Sequence, residues 1–120
     1  MDIIQAIKER HSVRVYSGKK IEEEKRRKID TLIEECNEES GLHIQIRYDD
    51  PSGFDSRLAH YGKFRNVENY IILAGIPSDD LQEKCGYYGE KLVLEAQMMG
   101  LNTCWTALTF NKTNVKKTFQ

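Results

Sequence analysis

The residues best suited to chemistry lie together near the start of the chain, in Arg10-His11-Ser12-Val13-Arg14-Val15-Tyr16. Arg10 and Arg14 bracket a ring that can take up a proton, His11, and a hydroxyl, Ser12. A guanidinium presents a planar fork of N–H donors that matches the oxygens of a phosphate two at a time. Each charge-assisted hydrogen bond made there is worth about 1.5–3 kcal/mol when partly shielded from water. The stretch is a natural seat for an anion. Basic clusters are also common on protein surfaces, where the same arginines do no more than solvate a loop.

Other residues with chemical potential are more scattered. Tyr61, Gly62, Lys63, Phe64 and Arg65 put a glycine among aromatics and cations, which suits backbone approaching a flat ligand and equally suits a packed loop. Asp49 and Asp50 sit beside a turn, but no further carboxylates or histidines are spaced to complete a metal shell. No metal site is expected. The three cysteines, Cys36, Cys85 and Cys104, are odd in number and contain no C-x-x-C. That argues against a disulfide framework and a structural zinc. No histidine lies close to Cys104 in sequence, so a small buried hydrophobe is the commoner role for each of the three.

These groups need elements to position them. Asp2 is placed to cap a first helix ending at Glu9, with Ile3, Ile4 and Ile7 on one face and Ala6 beside them. Val13, Val15 and Tyr16 prefer extended backbone, so the helix stops near Ser12, and Ser17-Gly18 reads as a turn. Ile21, Ile29, Leu32, Ile33 and Cys36 mark a second helix to Ser40, closed by Gly41. Its glutamates precede its cations, which suits the helix dipole and i,i+4 pairing better than nucleic-acid binding. Leu42 to Tyr48 alternates as a half-buried strand, and 49–53 breaks it. Val67 to Ile76 reads as a central strand covered on both faces. Ser78 is placed to cap a long helix from about Asp79 to Met99, apolar round most of its second half and therefore central. Gly86 and Gly89 lie three apart in it, a hint of close approach by another helix or chain, or of local tolerance near its first turns. Residues 101–107 read as an extended segment.

A length of 120 residues sets one domain, 1–120, which buries roughly two-thirds of its unfolded surface. The net charge of −1 supplies no field to attract nucleic acid or an anionic membrane. Met1-Asp2-Ile3 lacks the basic start of a signal peptide, and the longest apolar run, 70–76, is too short to span a bilayer. A cytoplasmic protein, bound to neither membrane nor nucleic acid, is expected.

Two blocks carry a family resemblance. AIKERHSVRVYSGKKI, Ala6 to Ile21, resembles the N-terminal signature of the FMN-dependent nitroreductase family. GYYGEKLVLEAQMMGLNTCWTALTFNK, Gly86 to Lys112, resembles the long helix and following segment of one branch of it. Together they cover about a third of the chain, in the family's order and spacing.

The resemblance implies an α+β fold with a central, mostly antiparallel sheet flanked by helices, and a homodimer holding flavin at its interface. By the family pattern, Arg10, Ser12 and Arg14 grip the FMN phosphate and ribityl chain, with His11 in a place often basic. By the same pattern Cys104, Trp105, Thr106 and Ala107 run beside the isoalloxazine ring, and Tyr61, Gly62, Lys63 and Arg65 contact the flavin pyrimidine edge or substrate. The implied activity is hydride transfer from NAD(P)H through FMN to a small-molecule acceptor such as a nitroaromatic or quinone. No catalytic side chain is required, because the chemistry is the cofactor's. Family members are usually longer, so the family's C-terminal part is expected to be missing here. Alternatives are a flavin-binding protein without turnover, or a truncated fragment serving as a structural or interaction module.

Overall fold

The computed structural model describes residues 1–54 and 65–106. Among them are three α-helices: α1 (Ile3–Glu9), α2 (Glu23–Ser40) and α3 (Leu81–Met98). A two-stranded antiparallel sheet joins β1 (Gln45–Arg47) to β2 (Tyr70–Ile72). This is a small α+β architecture, with α3 packed against both α1 and α2.

Local chemistry explains where the elements start and stop. Asp2 caps α1 by accepting from the Gln5 N–H at 2.8 Å. Arg10 ends the helix with extended backbone, at φ −63° and ψ 131°. Gly41 closes α2 in the left-handed region at φ 76°, its N–H donating to the Asn37 carbonyl at 2.8 Å. The N-cap of α3 is Asp80, not Ser78. Ser78 instead donates its hydroxyl to the Asp80 carboxylate at 2.8 Å.

The core is the inner stripe of α2 (Ile29, Ile33 and Cys36) closed by Leu42, Ile44 and Leu92. Cys36 is fully buried and Cys85 packs against this cluster, so both act as small hydrophobes. Asn37 fastens the strand to the helix. Its amide donates to the Ile44 carbonyl at 3.0 Å and accepts from the Ile44 N–H at 2.8 Å, as a neighbouring strand would. The His43 N–H donates to Ala74 at 2.7 Å, extending the pairing beyond the ladder.

Two expectations change here. The strand read from 67–76 is a three-residue strand with Ile71 exposed, because its described ladder runs to β1 alone. Ile3, Ile4 and Ile7 are 47%, 58% and 56% exposed, whereas Ala6 is fully buried. A methyl permits closer helix approach than a branched side chain, so α1 turns Ala6 inward and its isoleucines outward. Among the described residues no helix is long and apolar enough to cross a membrane.

Candidate functional site

The segment after α1 is held along both edges. On one edge the Val13 N–H donates to the Thr103 carbonyl at 3.0 Å, with a parallel bridge between Ser12 and Thr103. On the other, the Arg65 N–H donates to Arg14 at 2.9 Å and the Tyr16 N–H donates to Arg65 at 3.1 Å, with a parallel bridge between Val15 and Arg65. Peptide groups of an extended chain alternate between its two edges, which is why one short segment serves both neighbours. Asn66 reinforces the second edge by donating its amide to the Tyr16 carbonyl at 2.8 Å.

Arg10 is the most informative residue of the segment. Its Nε and Nη2 are buried and have no hydrogen-bond partner. A guanidinium N–H withdrawn from water without an acceptor is a costly state that buried polar groups ordinarily avoid. The Thr103 hydroxyl, across the bridge from Ser12, is in the same condition. Ser12 and Arg14 are exposed. His11 is exposed and turned back on α1, its Nδ1 donating to the Glu9 carbonyl at 3.1 Å, which requires the proton on that nitrogen.

Tyr16 closes the cluster. Its hydroxyl donates to the Val13 carbonyl. Burial, reinforced by the Cys104 sulfur, pushes the phenol up to about 12, against the pull of Arg10 and Arg14. The phenol thus lies within electrostatic reach of both arginines and of Cys104.

The segment after α3 places the remaining candidates. Cys104 is partly exposed and its thiol donates to the Trp105 carbonyl at 3.4 Å. Trp105 lies across Gly89, where a Cβ would collide with the indole Cη2 and approach Leu73 Cδ1 to 2.7 Å. Its Nε1 donates to Glu90 at 3.0 Å, and it remains 43% exposed. Trp105 is therefore a fixed, partly open aromatic face rather than a core residue. Thr106 is half-buried. Tyr61, Gly62, Lys63 and Ala107 lie outside the described residues.

The structure thus brings Arg10, Ser12 and Arg14 to one segment and sets Cys104 near its Tyr16, joined through Thr103. Sequence reasoning passed over Thr103 and Glu90. Nothing local distinguishes either residue: the first matters through a bridge to Ser12, the second through its bond to an indole.

At the two glycines of α3 the described residues of the same chain supply a neighbour to one only. Gly89 is approached by Trp105 of the same chain, while Gly86 has no described atom within 4 Å of where its Cβ would stand.

Fold and site define a small α+β protein with a cationic seat on an extended segment after its first helix, closed by the segment after its long helix. The family described as Putative TM nitroreductase matches residues 2–120, and the chain belongs to it. That membership is of an oxidoreductase class whose members usually bind flavin. No curated protein and no solved structure matches the chain.

Proposed function

We propose that this chain is an FMN-dependent oxidoreductase that takes hydride from NAD(P)H and reduces a small acceptor such as a nitroaromatic or quinone. The observation that carries the reading is the pair of buried Arg10 nitrogens, Nε and Nη2, whose N–H groups have no acceptor. They fit a phosphate monoester, which offers the acceptor oxygens that these donors lack. Arg14, two residues beyond Ser12, adds charge to the same segment, and Ser12 adds a hydroxyl.

When bound, the flavin supplies the redox chemistry, hydride in from the nicotinamide and electrons out to the acceptor. The protein's part is to bind and orient. Arg10 and Arg14 anchor the phosphate end. Backbone N–H groups of 104–106 would lie on the ring side and would favour negative charge on the reduced flavin. Trp105, held by Glu90, forms a flat wall beside them. Family kinship supports Tyr61 and Lys63 as further contacts and His11 as part of the basic surround.

The working form is a homodimer with flavin near the interface, in the cytoplasm. The exposed Ile3, Ile4 and Ile7 support this, since they form an apolar stripe on the helix that leads directly into the anion seat. Ile4→Glu is expected to shift the chain toward monomer in analytical ultracentrifugation.

The deciding experiment is a visible spectrum of the purified chain with added FMN, then with NAD(P)H in the absence of oxygen. Flavin bands that co-purify and bleach are expected. Bands that persist mean binding without turnover. No retained flavin overturns the reading. Arg10→Ala with Arg14→Ala is expected to abolish retention while leaving the far-ultraviolet circular dichroism near normal.

A further inference from the structure

Thr103 is remote from Ser12 in sequence and adjacent to it in space. Bridge partners present their side chains on the same face of the pair. Arg10 stands two residues before Ser12 on the same segment. The Thr103 hydroxyl is buried and unpartnered, as are Arg10 Nε and Nη2. A threonine ordinarily meets its own need by bonding a nearby backbone group. Three buried donor groups, two on Arg10 and one on the residue bridged to Ser12, thus go without an acceptor. One tetrahedral oxyanion answers all three.

We infer that Thr103 is a phosphate-contacting residue of this site, its hydroxyl donating to the same phosphate monoester that Arg10 holds. The inference rests on the flavin reading above, because FMN is the source of that phosphate. The phosphate then ties the segment after α1 to the segment after α3, beyond the single backbone bond from Val13. Phosphate binding therefore fixes Cys104, Trp105 and Thr106 relative to Arg10. Thr103 is thus a positioning residue for the ring-side segment as well as a ligand for the phosphate.

The test is a titration of the full chain with FMN and, separately, with riboflavin, which lacks the phosphate. The variants are Thr103→Val, which keeps the shape and removes the hydroxyl, and Thr103→Ser, which keeps the hydroxyl. Loss of one hydrogen bond to a charged oxygen is expected to weaken FMN about tenfold in Thr103→Val. Riboflavin affinity should stay unchanged, and Thr103→Ser should recover most of the loss. The FMN-to-riboflavin ratio is read because it is insensitive to a general loss of stability. Thr103→Ala gives the same ratio should the valine variant fold poorly. Thermal protection by inorganic phosphate should shrink in step with that ratio.

Equal weakening of both flavins, or no change in either, overturns the assignment of Thr103 and leaves the flavin reading standing. A wild-type chain protected by phosphate through Thr103, but binding neither flavin, keeps the residue as an anion ligand and overturns the flavin reading. A chain that responds to no flavin and no phosphate overturns both.

Discussion

Two glycines three residues apart on α3 should respond to the same substitution with opposite signs. At Gly86 a Cβ meets no described atom within 4 Å, so Gly86→Ala adds only helix propensity. That is worth about 0.5–1 kcal/mol, through a less flexible unfolded chain and better-shielded backbone. At Gly89 the same gain is opposed by overpacking, because the Cβ collides with Trp105 Cη2 and stands 2.7 Å from Leu73 Cδ1. Such insertions cost about 1–3 kcal/mol. Displacing the indole also breaks its bond to Glu90, worth about 1 kcal/mol. The net for Gly89→Ala is a loss of about 1–3 kcal/mol. An unfolding entropy near 2.1 cal/mol/K per residue over 120 residues makes 1 kcal/mol equal to about 4 °C in Tm. Gly86→Ala should therefore melt about 2–4 °C higher and Gly89→Ala about 4–12 °C lower. Differential scanning calorimetry reads both shifts. Trp105 is the chain's single tryptophan, so its fluorescence reports the contact directly and should change only in Gly89→Ala. Parallel stabilisation of both variants with unaltered emission would refute the packing of Trp105 on Gly89.

Three further outcomes follow from charge and burial. Asp50 accepts from the Ser52 hydroxyl and N–H and from Tyr70, and these bonds, with Ser52 first, hold its carboxyl below the usual range. Its folded value is depressed, so its stabilisation is present above the unfolded value near 3.9 and lost as pH falls through the folded one. Urea midpoints measured between pH 5 and 2 should show a decline that Asp50→Asn lessens. Tyr16 has the opposite sense: raised to about 12, its neutral phenol favours the fold below pH 10, and that contribution disappears as pH rises from 10 through 12. Ultraviolet titration should show one late-ionising tyrosine fewer in Tyr16→Phe, since burial and the Asp30 hydrogen bond also push Tyr48 up. Arg10→Met should weaken FMN retention yet raise the melting temperature of the flavin-free chain by about 4–12 °C. It removes buried donors whose unmet state costs about 1–3 kcal/mol and keeps an unbranched stem in their place. A flavin-free Arg10→Met chain that melts below the wild type would mean that Arg10 is satisfied within the fold.

What could be read from the sequence was set by short-range chemistry. Asp2 as a cap and Gly41 as a left-handed stop depend on atoms within four residues, and both stand where expected. The alternation after Gly41 predicts the buried Leu42 and Ile44 because a strand's faces repeat every two residues. The direction of α1 was not legible. Three isoleucines outweigh one alanine in any hydrophobicity pattern, but helix packing also depends on how closely two backbones can approach. The Gly86 and Gly89 spacing signals close approach without naming the neighbour, and at Gly89 an indole from beyond the helix fills the space. Asn37 was invisible for a similar reason. An amide on a polar helix face gives no sign that it will pair with the backbone of Ile44.

The candidate site divides along the same line. Arg10, Ser12 and Arg14 were legible as a candidate anion seat because their spacing is local. Thr103, the complement we propose, was not, because only the chain's return after α3 brings it to Ser12. The physical character of the seat appears only when both segments are in place. Most of this fold meets its polar needs at home: Asn37 serves Ile44, Ser52 serves Asp50, and Glu90 serves Trp105. The unmet atoms, Arg10 Nε and Nη2 and Thr103 Oγ1, are all donors. A protein gains nothing in stability from leaving them so. Under the proposed function the arrangement becomes favourable once the phosphate binds, because the donors are already desolvated.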